Sequence, residues 1–268
     1  MIRSLYSATS GMRNQQVRMD VIANNIANIS TNGFKSGRVN FAEIISQDFR
    51  GNSISQVGSN TNNPSQIGLG ISVSSIDNNF GQGGLQSTGR VLDLALVGDG
   101  FFMVASSNED IADDTDIYYT RDGALYVDQD GYLVNSSGLY VLSDEKEAIQ
   151  MLEDPDTESI ENIKIDSDGS VFVNSTPLDV KIGVAVFNDP EGLATAGGNL
   201  YKSPDVDTIK PVEDPSGYVV QSGTLEMSNT DLTTEFANLI TTQRGYQASA
   251  RVITTSDTML GELIDLKR

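Results

Sequence analysis

Near the N-terminus, apolar residues recur every three or four positions. Leu5, Ala8, Met12, Gln15, Met19, Ile22, Ile26 and Ile29 follow at spacings of 3-4-3-4-3-4-3. The C-terminal region repeats the rule through Leu232, Phe236, Leu239, Gln243, Tyr246, Ala250, Ile253, Asp257, Leu260 and Ile264. A 3.5-residue period draws one stripe along a helix and favours packing against another helix. The pattern predicts a helix over 3–29 and a second from Leu232 to about Leu266. Asp231 is the expected N-cap, Glu235 stands in the first turn, and Lys267 and Arg268 suit the negative end of the dipole. Ser30-Thr31-Asn32-Gly33 ends the first helix with turn chemistry. Two matching seams predict that the termini pair, with the rest of the chain looped out between them.

Between the seams the period changes. Residues 31–70 read as an extended linker or arm, in which 51–66 are rich in Gly, Ser and Asn. From residue 71 to 228 short runs alternate with a period of two: Ile71–Ile76, Leu92–Val97, Phe101–Val104, three runs within Tyr118–Leu142, Ser170–Val173 and Val180–Phe187. Asp-Gly and Ser-Gly turns separate several of them, which is the pattern of an all-β region. The expected fold class is mainly β with α-helical termini. The expected organisation is 1–30 with 229–268 as a terminal coiled-coil domain, 31–70 as arm and 71–228 as the outer all-β domain.

Charge sharpens this picture. The 268 residues carry a net charge of −20, unevenly spread. Residues 1–50 hold six basic and three acidic side chains, 224–268 four and six, and the middle seven and twenty-eight. Ends near neutrality can lie against copies of themselves, whereas an acidic middle suits a solvated surface. The acidity opposes nucleic-acid binding and adsorption to anionic membranes. Cys and His are absent, which excludes disulfides, a Cys nucleophile, a Ser-His-Asp triad and an ordinary zinc site. There is no run of 18 apolar residues to span a membrane and no apolar segment of the secretory type at the start.

The motifs that suggest chemistry have plainer explanations. Asp128-x-Asp130-Gly131 and Asp166-x-Asp168-Gly169 resemble fragments of calcium loops, yet lack the remaining ligands and read as hairpin turns. Gly98-Asp99-Gly100 lacks the rest of a phosphate cradle and reads as a strand bend. The acidic run Glu109, Asp110, Asp113, Asp114 and Asp116 reads as a solvated loop, as does the acidic stretch 143–160. No cofactor, metal or catalytic residue is expected. A β-rich carboxylate-pair hydrolase or a secreted adhesin with helical ends are the rival readings.

At this point a family resemblance enters. Asp20-Val-Ile-Ala-Asn-Asn-Ile-Ala-Asn-Ile-Ser-Thr-Asn-Gly-Phe-Lys35 resembles the N-terminal signature of the bacterial flagellar rod and hook proteins, with Asn24, Asn25, Asn28, Gly33 and Phe34 as its marks. Asp93–Phe102, containing Gly98, Gly100 and Phe101, and Tyr119–Gly123 resemble motifs of that family's β-domain. Gln243-Arg244-Gly-Tyr-Gln-Ala248 with Thr254–Met259 resembles its C-terminal signature. The resemblance implies an axial protein exported unfolded through the flagellar type III apparatus without a cleaved signal. It implies terminal helices forming the inner wall of a hollow helical tube and a β-domain outside.

Segments 75–89 and 224–232 resemble the hook protein more closely, so the expected subunit is a short hook protein, with a distal rod protein as the alternative. Its partners would be copies of itself, rod proteins, the hook cap, hook–filament junction proteins and the export apparatus. The absence of Cys rules out a Cys–Lys cross-link between subunits. In this reading Leu5, Met12, Met19, Ile22, Ile26, Ile29, Phe236, Leu239, Tyr246, Ile253, Leu260 and Ile264 are the assembly seam. The first helix, marginal by itself, is expected to be disordered in the monomer and to order on assembly.

Overall fold

A computed structural model describes residues 2–50, 65–107, 117–152, 163–174, 176–204 and 217–266. The chain is mostly β between an N-terminal and a C-terminal helix, which is the expected fold class. Helix α1 spans Ile2–Ala27 and helix α2 spans Leu232–Asp265. Asp231 caps α2 with an extended backbone, and its carboxylate accepts the amide of Thr233. Lys267 and Arg268, the acidic run 109–116, most of the Gly/Ser/Asn stretch and the second half of the 143–160 stretch lie outside the described residues.

The chain divides into two compact units. The helical unit holds Met1–Ala27, Gly37–Asn78 and Asp231–Arg268. In it α1 and α2 lie side by side, and α1 also packs on a β-ribbon. The ribbon consists of β1 (Gly37–Glu43) paired antiparallel with β4 (Ile71–Asn78), and β2 (Ser46–Arg50) paired antiparallel with β3 (Ser65–Gly68). Between the two ladders Ile44 N–H donates to Gly70 and Leu69 N–H to Ile45, so the pairing runs on almost without a break. Gly37–Glu43 and Ser46–Arg50, within the stretch expected as an extended linker or arm, are thus paired strands of this ribbon. Ile71–Ile76, expected in the outer domain, belongs to this ribbon, because its edge finds a partner in 37–43.

The β unit holds Asn28–Ser36 and Asn79–Thr230. Its strands are β5 (Leu85–Ser87), β6 (Leu94–Val97), β7 (Phe101–Ala105), β8 (Ile117–Thr120), β9 (Leu125–Val127), β10 (Leu133–Asn135), β11 (Tyr140–Val141), β12 (Ile163–Ile165), β13 (Ser170–Val173), β14 (Thr176–Lys181), β15 (Val184–Ala185), β16 (Ala194–Gly197), β17 (Leu200–Lys202), β18 (Val219–Ser222) and β19 (Thr224–Glu226). The largest sheet runs β16-β17-β8-β7-β11-β10-β9, with β15 pairing β7. β12-β13-β14 form a second sheet, while β18 pairs β6 and β19 pairs β5.

β7 explains where the core sits. Its residues are all buried, and alternation sends Phe102 and Val104 into one cluster with Leu94, Leu125, Leu133 and Ile182, and Phe101 and Met103 into another with Tyr119, Leu142, Phe187 and Tyr201. The runs within Tyr118–Leu142 are four strands rather than three, since all three turns separate a strand from the next. Both Asp-Gly segments close hairpins: Gly131 N–H donates to Asp128 and Gly169 N–H to Asp166, each glycine at φ 80°.

Candidate functional site

Most of the features singled out by the sequence lie on the helical unit and on the segments where the β unit receives and releases the chain, while Gly98, Gly100 and Phe101 lie within the β unit. Along the helix pair, Gly11 of α1 stands opposite Ser249, and Gly245 of α2 opposite Gln15. A Cβ added to either glycine would come 3.2 Å from its neighbour. The two helices are therefore antiparallel and cross at small residues. Thr242 and Ser256 are the buried residues of α2, and the half-buried Leu239, Ile253 and Leu260 fall on the same side of the helix. Thr242 and Ser256 return their hydroxyls to the carbonyls of Asn238 and Val252.

A second face of α1 meets the ribbon through two buried asparagines. Asn14 donates to the carbonyl of Ile71. Asn25 donates to the carbonyl of Gly37 and accepts the amide of the same residue, both at 2.9 Å. This side chain replaces a ladder partner for the first residue of β1. Glu235, near Asn25 and Arg18, has its pKa raised chiefly by burial, offset by the hydrogen bond with Asn25.

The predicted seam residues separate in the structure. Ile22 is buried, and Leu5, Met12, Met19 and Ile26 of α1 are half-buried. Ile29 lies beyond the helix end, in the β unit, and is half-buried. Leu239, Ile253 and Leu260 of α2 are half-buried, while Phe236, Tyr246 and Ile264 are exposed. Leu239, Ile253 and Leu260 share one side of α2 with Thr242, Gly245, Ser249 and Ser256, whereas Phe236 lies off it. Exposed apolar side chains flank it at Leu232, Phe236, Ile240, Val252, Met259 and Leu263, with Phe236 at 48% and Ile240 at 50%. Leu232, Phe236 and Ile240 follow at intervals of four and share a face.

The signature residues have distinct structural tasks. Asn25 holds Gly37 as described. Asn24 is exposed and Asn28 half-buried, the latter accepting the Thr31 hydroxyl. Gly33 is buried at φ 65°, and a Cβ there would meet the Arg121 carbonyl carbon at 2.7 Å. Phe34 is half-buried. Gly98 (φ 105°) and Gly100 (φ 150°) make the expected bend between β6 and β7. Phe101 is buried edge-on against Phe80, Phe187 and Tyr201. Burial pushes the Tyr201 hydroxyl up to about 12. Gln243 and Arg244 are exposed on α2. Sequence reading missed Lys35, Arg121 and Glu226, which are buried together in the β unit.

Three family descriptions match the chain in order. "Flagella basal body rod protein" covers residues 5–35, "Flagellar hook protein FlgE/F/G D1 domain" covers 95–173, and "Flagellar basal body rod FlgEFG protein C-terminal" covers 221–266. The flagellar basal-body rod protein FlgG of Bacillus subtilis is 42% identical over the whole of both chains. The chain belongs to the flagellar rod and hook axial protein family. That family consists of structural proteins, not enzymes.

FlgG of Borreliella burgdorferi is 34% identical, again over the whole of both chains. The flagellar hook protein FlgE of the same organism is 48% identical over 135 residues, which cover 50% of this chain and 29% of that protein. End-to-end likeness is therefore to rod proteins, and likeness to hook proteins stops at half the chain, which shifts the balance away from the expected hook protein. Segment 224–232 lies within the matched C-terminal description, which names FlgE, FlgF and FlgG together and so does not separate hook from rod.

Proposed function

We propose that the chain is the distal rod subunit of a flagellar basal body, a structural protein that polymerises into a hollow helical shaft transmitting torque from motor to hook. The observation that carries this reading is the end-to-end likeness to FlgG proteins, at 42% in one of them. The helices supply the subunit contacts. Leu232, Phe236 and Ile240 form one apolar face, Val252, Met259 and Leu263 a second, and neighbouring copies cover both. Each such side chain, about half exposed, gains on the order of 1 kcal/mol when a neighbour covers it. The partners are copies of the chain, the rod and hook proteins at its ends and the type III export apparatus. The domain division proposed for the assembled state places the helical unit at the inner wall and the acidic β unit outside.

The hook reading keeps one observation in its favour, the higher local identity to a hook protein over 135 residues. Gold labelling of an epitope-tagged chain in isolated hook–basal bodies separates the two. Label on the rod is expected, and label confined to the curved hook would overturn the assignment.

A further inference from the structure

The chain passes between the two units at Ala27/Asn28, Ser36/Gly37, Asn78/Asn79 and Thr230/Asp231. On the β-unit side these passages leave three connectors: 28–36, the start of the long segment at 79–84, and its end at 226–230. All three are fastened to one another.

Two residues near the C-terminal passage do the fastening. The Glu226 side chain is fully buried. Its Oε1 accepts from Lys35 Nζ at 2.7 Å and from the Gly83 amide at 2.7 Å, and its Oε2 accepts from Arg121 Nη1 at 3.3 Å. Lys35 Nζ also donates to the Gly81 carbonyl, and Arg121 Nη2 to the Gly98 carbonyl. The backbone carbonyl of Glu226 accepts the Gly33 amide at 2.8 Å. Three residues on, the Asn229 side chain accepts the Ser36 amide at 2.9 Å and donates to the carbonyls of Asn79 (2.7 Å) and Gly81 (3.0 Å). Asn79 N–H donates to Ser36, which closes the ring of contacts. Each connector thus holds both of the others.

We propose that Glu226 and Asn229 are a closure clasp: connector 28–36 keeps its docked position only when 226–229 occupy theirs, so the three connectors order and release as one. The physical reason is electrostatic as well as geometric. Lys35 and Arg121 are two cations almost wholly out of water, and Glu226 is the carboxylate that pairs with both. Burial by itself drives the Lys35 pKa down, and Glu226 opposes that shift. Without the carboxylate, docking 28–36 would bury unpaired positive charge, which a protein interior strongly resists. Lys35 and Glu226 are 191 residues apart, so a chain made or delivered N-terminus first carries an open connector until its last forty or so residues arrive. The inference goes beyond the rod assignment and holds whatever the chain assembles into.

Amide hydrogen exchange on the full chain tests it, comparing wild type with Glu226→Gln and with Asn229→Ala. The decisive amides are those whose partners the substitution leaves in place. Gly33 bonds to the Glu226 carbonyl, so its exchange in Asn229→Ala reads coupling; Ser36 bonds to Asn229, so its exchange in Glu226→Gln does the same. The clasp predicts at least tenfold faster exchange at both, with the sheet amides of Met103 and Leu142 within twofold of wild type. The proposal is overturned if each substitution speeds only the amides it directly unbonds, or if Met103 and Leu142 accelerate by the same factor as the connectors. Asn229→Ala removes hydrogen bonds without stranding a charge, so it decides the matter alone if Glu226→Gln does not fold.

Discussion

Gly33 shows how much one position can carry. Its φ of 65° lies in the left-handed region, and a Cβ would stand 2.7 Å from Arg121 backbone atoms that have no room to move. Gly33→Ala therefore combines backbone strain with a clash, and the β unit should lose about 1–3 kcal/mol, measured by denaturant unfolding. Asn25→Ala leaves the amide and carbonyl of Gly37 without their partner beneath a helix, and should cost about 1–3 kcal/mol in the helical unit by the same measurement. Asp231 responds to pH. Hydrogen bonds from Thr234 and Thr233 hold its carboxyl below the ordinary value of 3.8. A depressed folded pKa stabilises the cap above 3.8, and that contribution is lost as the pH falls through the lower folded value. The Thr233 amide resonance should titrate with a midpoint below 3.8, and in Asp231→Asn the titration should vanish.

The elements differ in how openly the sequence announces them. Asp231 and the Asp-Gly hairpins were legible because local chemistry decides them: a side chain reaches an amide two residues on, or a glycine takes positive φ. The ribbon was not, because alternation in 71–76 marks a strand without naming its partner, Val39–Glu43, which lies well back in the chain. Nor was the buried Lys35–Glu226 pair, whose members stand at opposite ends of the β unit. The helix crossing was obscured for another reason. A heptad template counts large apolar side chains, whereas these helices meet where side chains are small. Thr242, Ser249 and Ser256 recur at intervals of seven on the same side as the half-buried Leu239, Ile253 and Leu260, a hydroxyl contribution to the contact face that an apolar template passes over. Gly245→Leu should disturb it by displacing Gln15, lowering the thermal stability of the helical unit while the β-unit transition stays in place.

At the scale of the whole molecule, α2 leaves several large apolar side chains uncovered. Besides the half-buried Leu239, Ile253 and Leu260, α2 carries Leu232, Phe236, Ile240, Val252, Met259 and Leu263 exposed along its flanks. Isolated apolar residues on a surface are ordinary, but two rows on one 34-residue helix form a face that the proposed shaft would cover with a neighbouring copy. The uneven charge agrees with this, since the acidic side chains crowd into the middle of the chain and leave the ends close to neutral. Replacing exposed side chains removes little from the folded monomer, so Phe236→Ser with Ile240→Ser should alter unfolding stability by no more than about 0.5 kcal/mol. The direct measurement is electron microscopy of basal bodies isolated from cells whose copy of this chain carries that double substitution, beside cells with the wild-type chain. The account predicts complete rods with the wild type and rods that stop short with the variant, although the variant protein folds normally. Full-length rods built from the folded variant would contradict it.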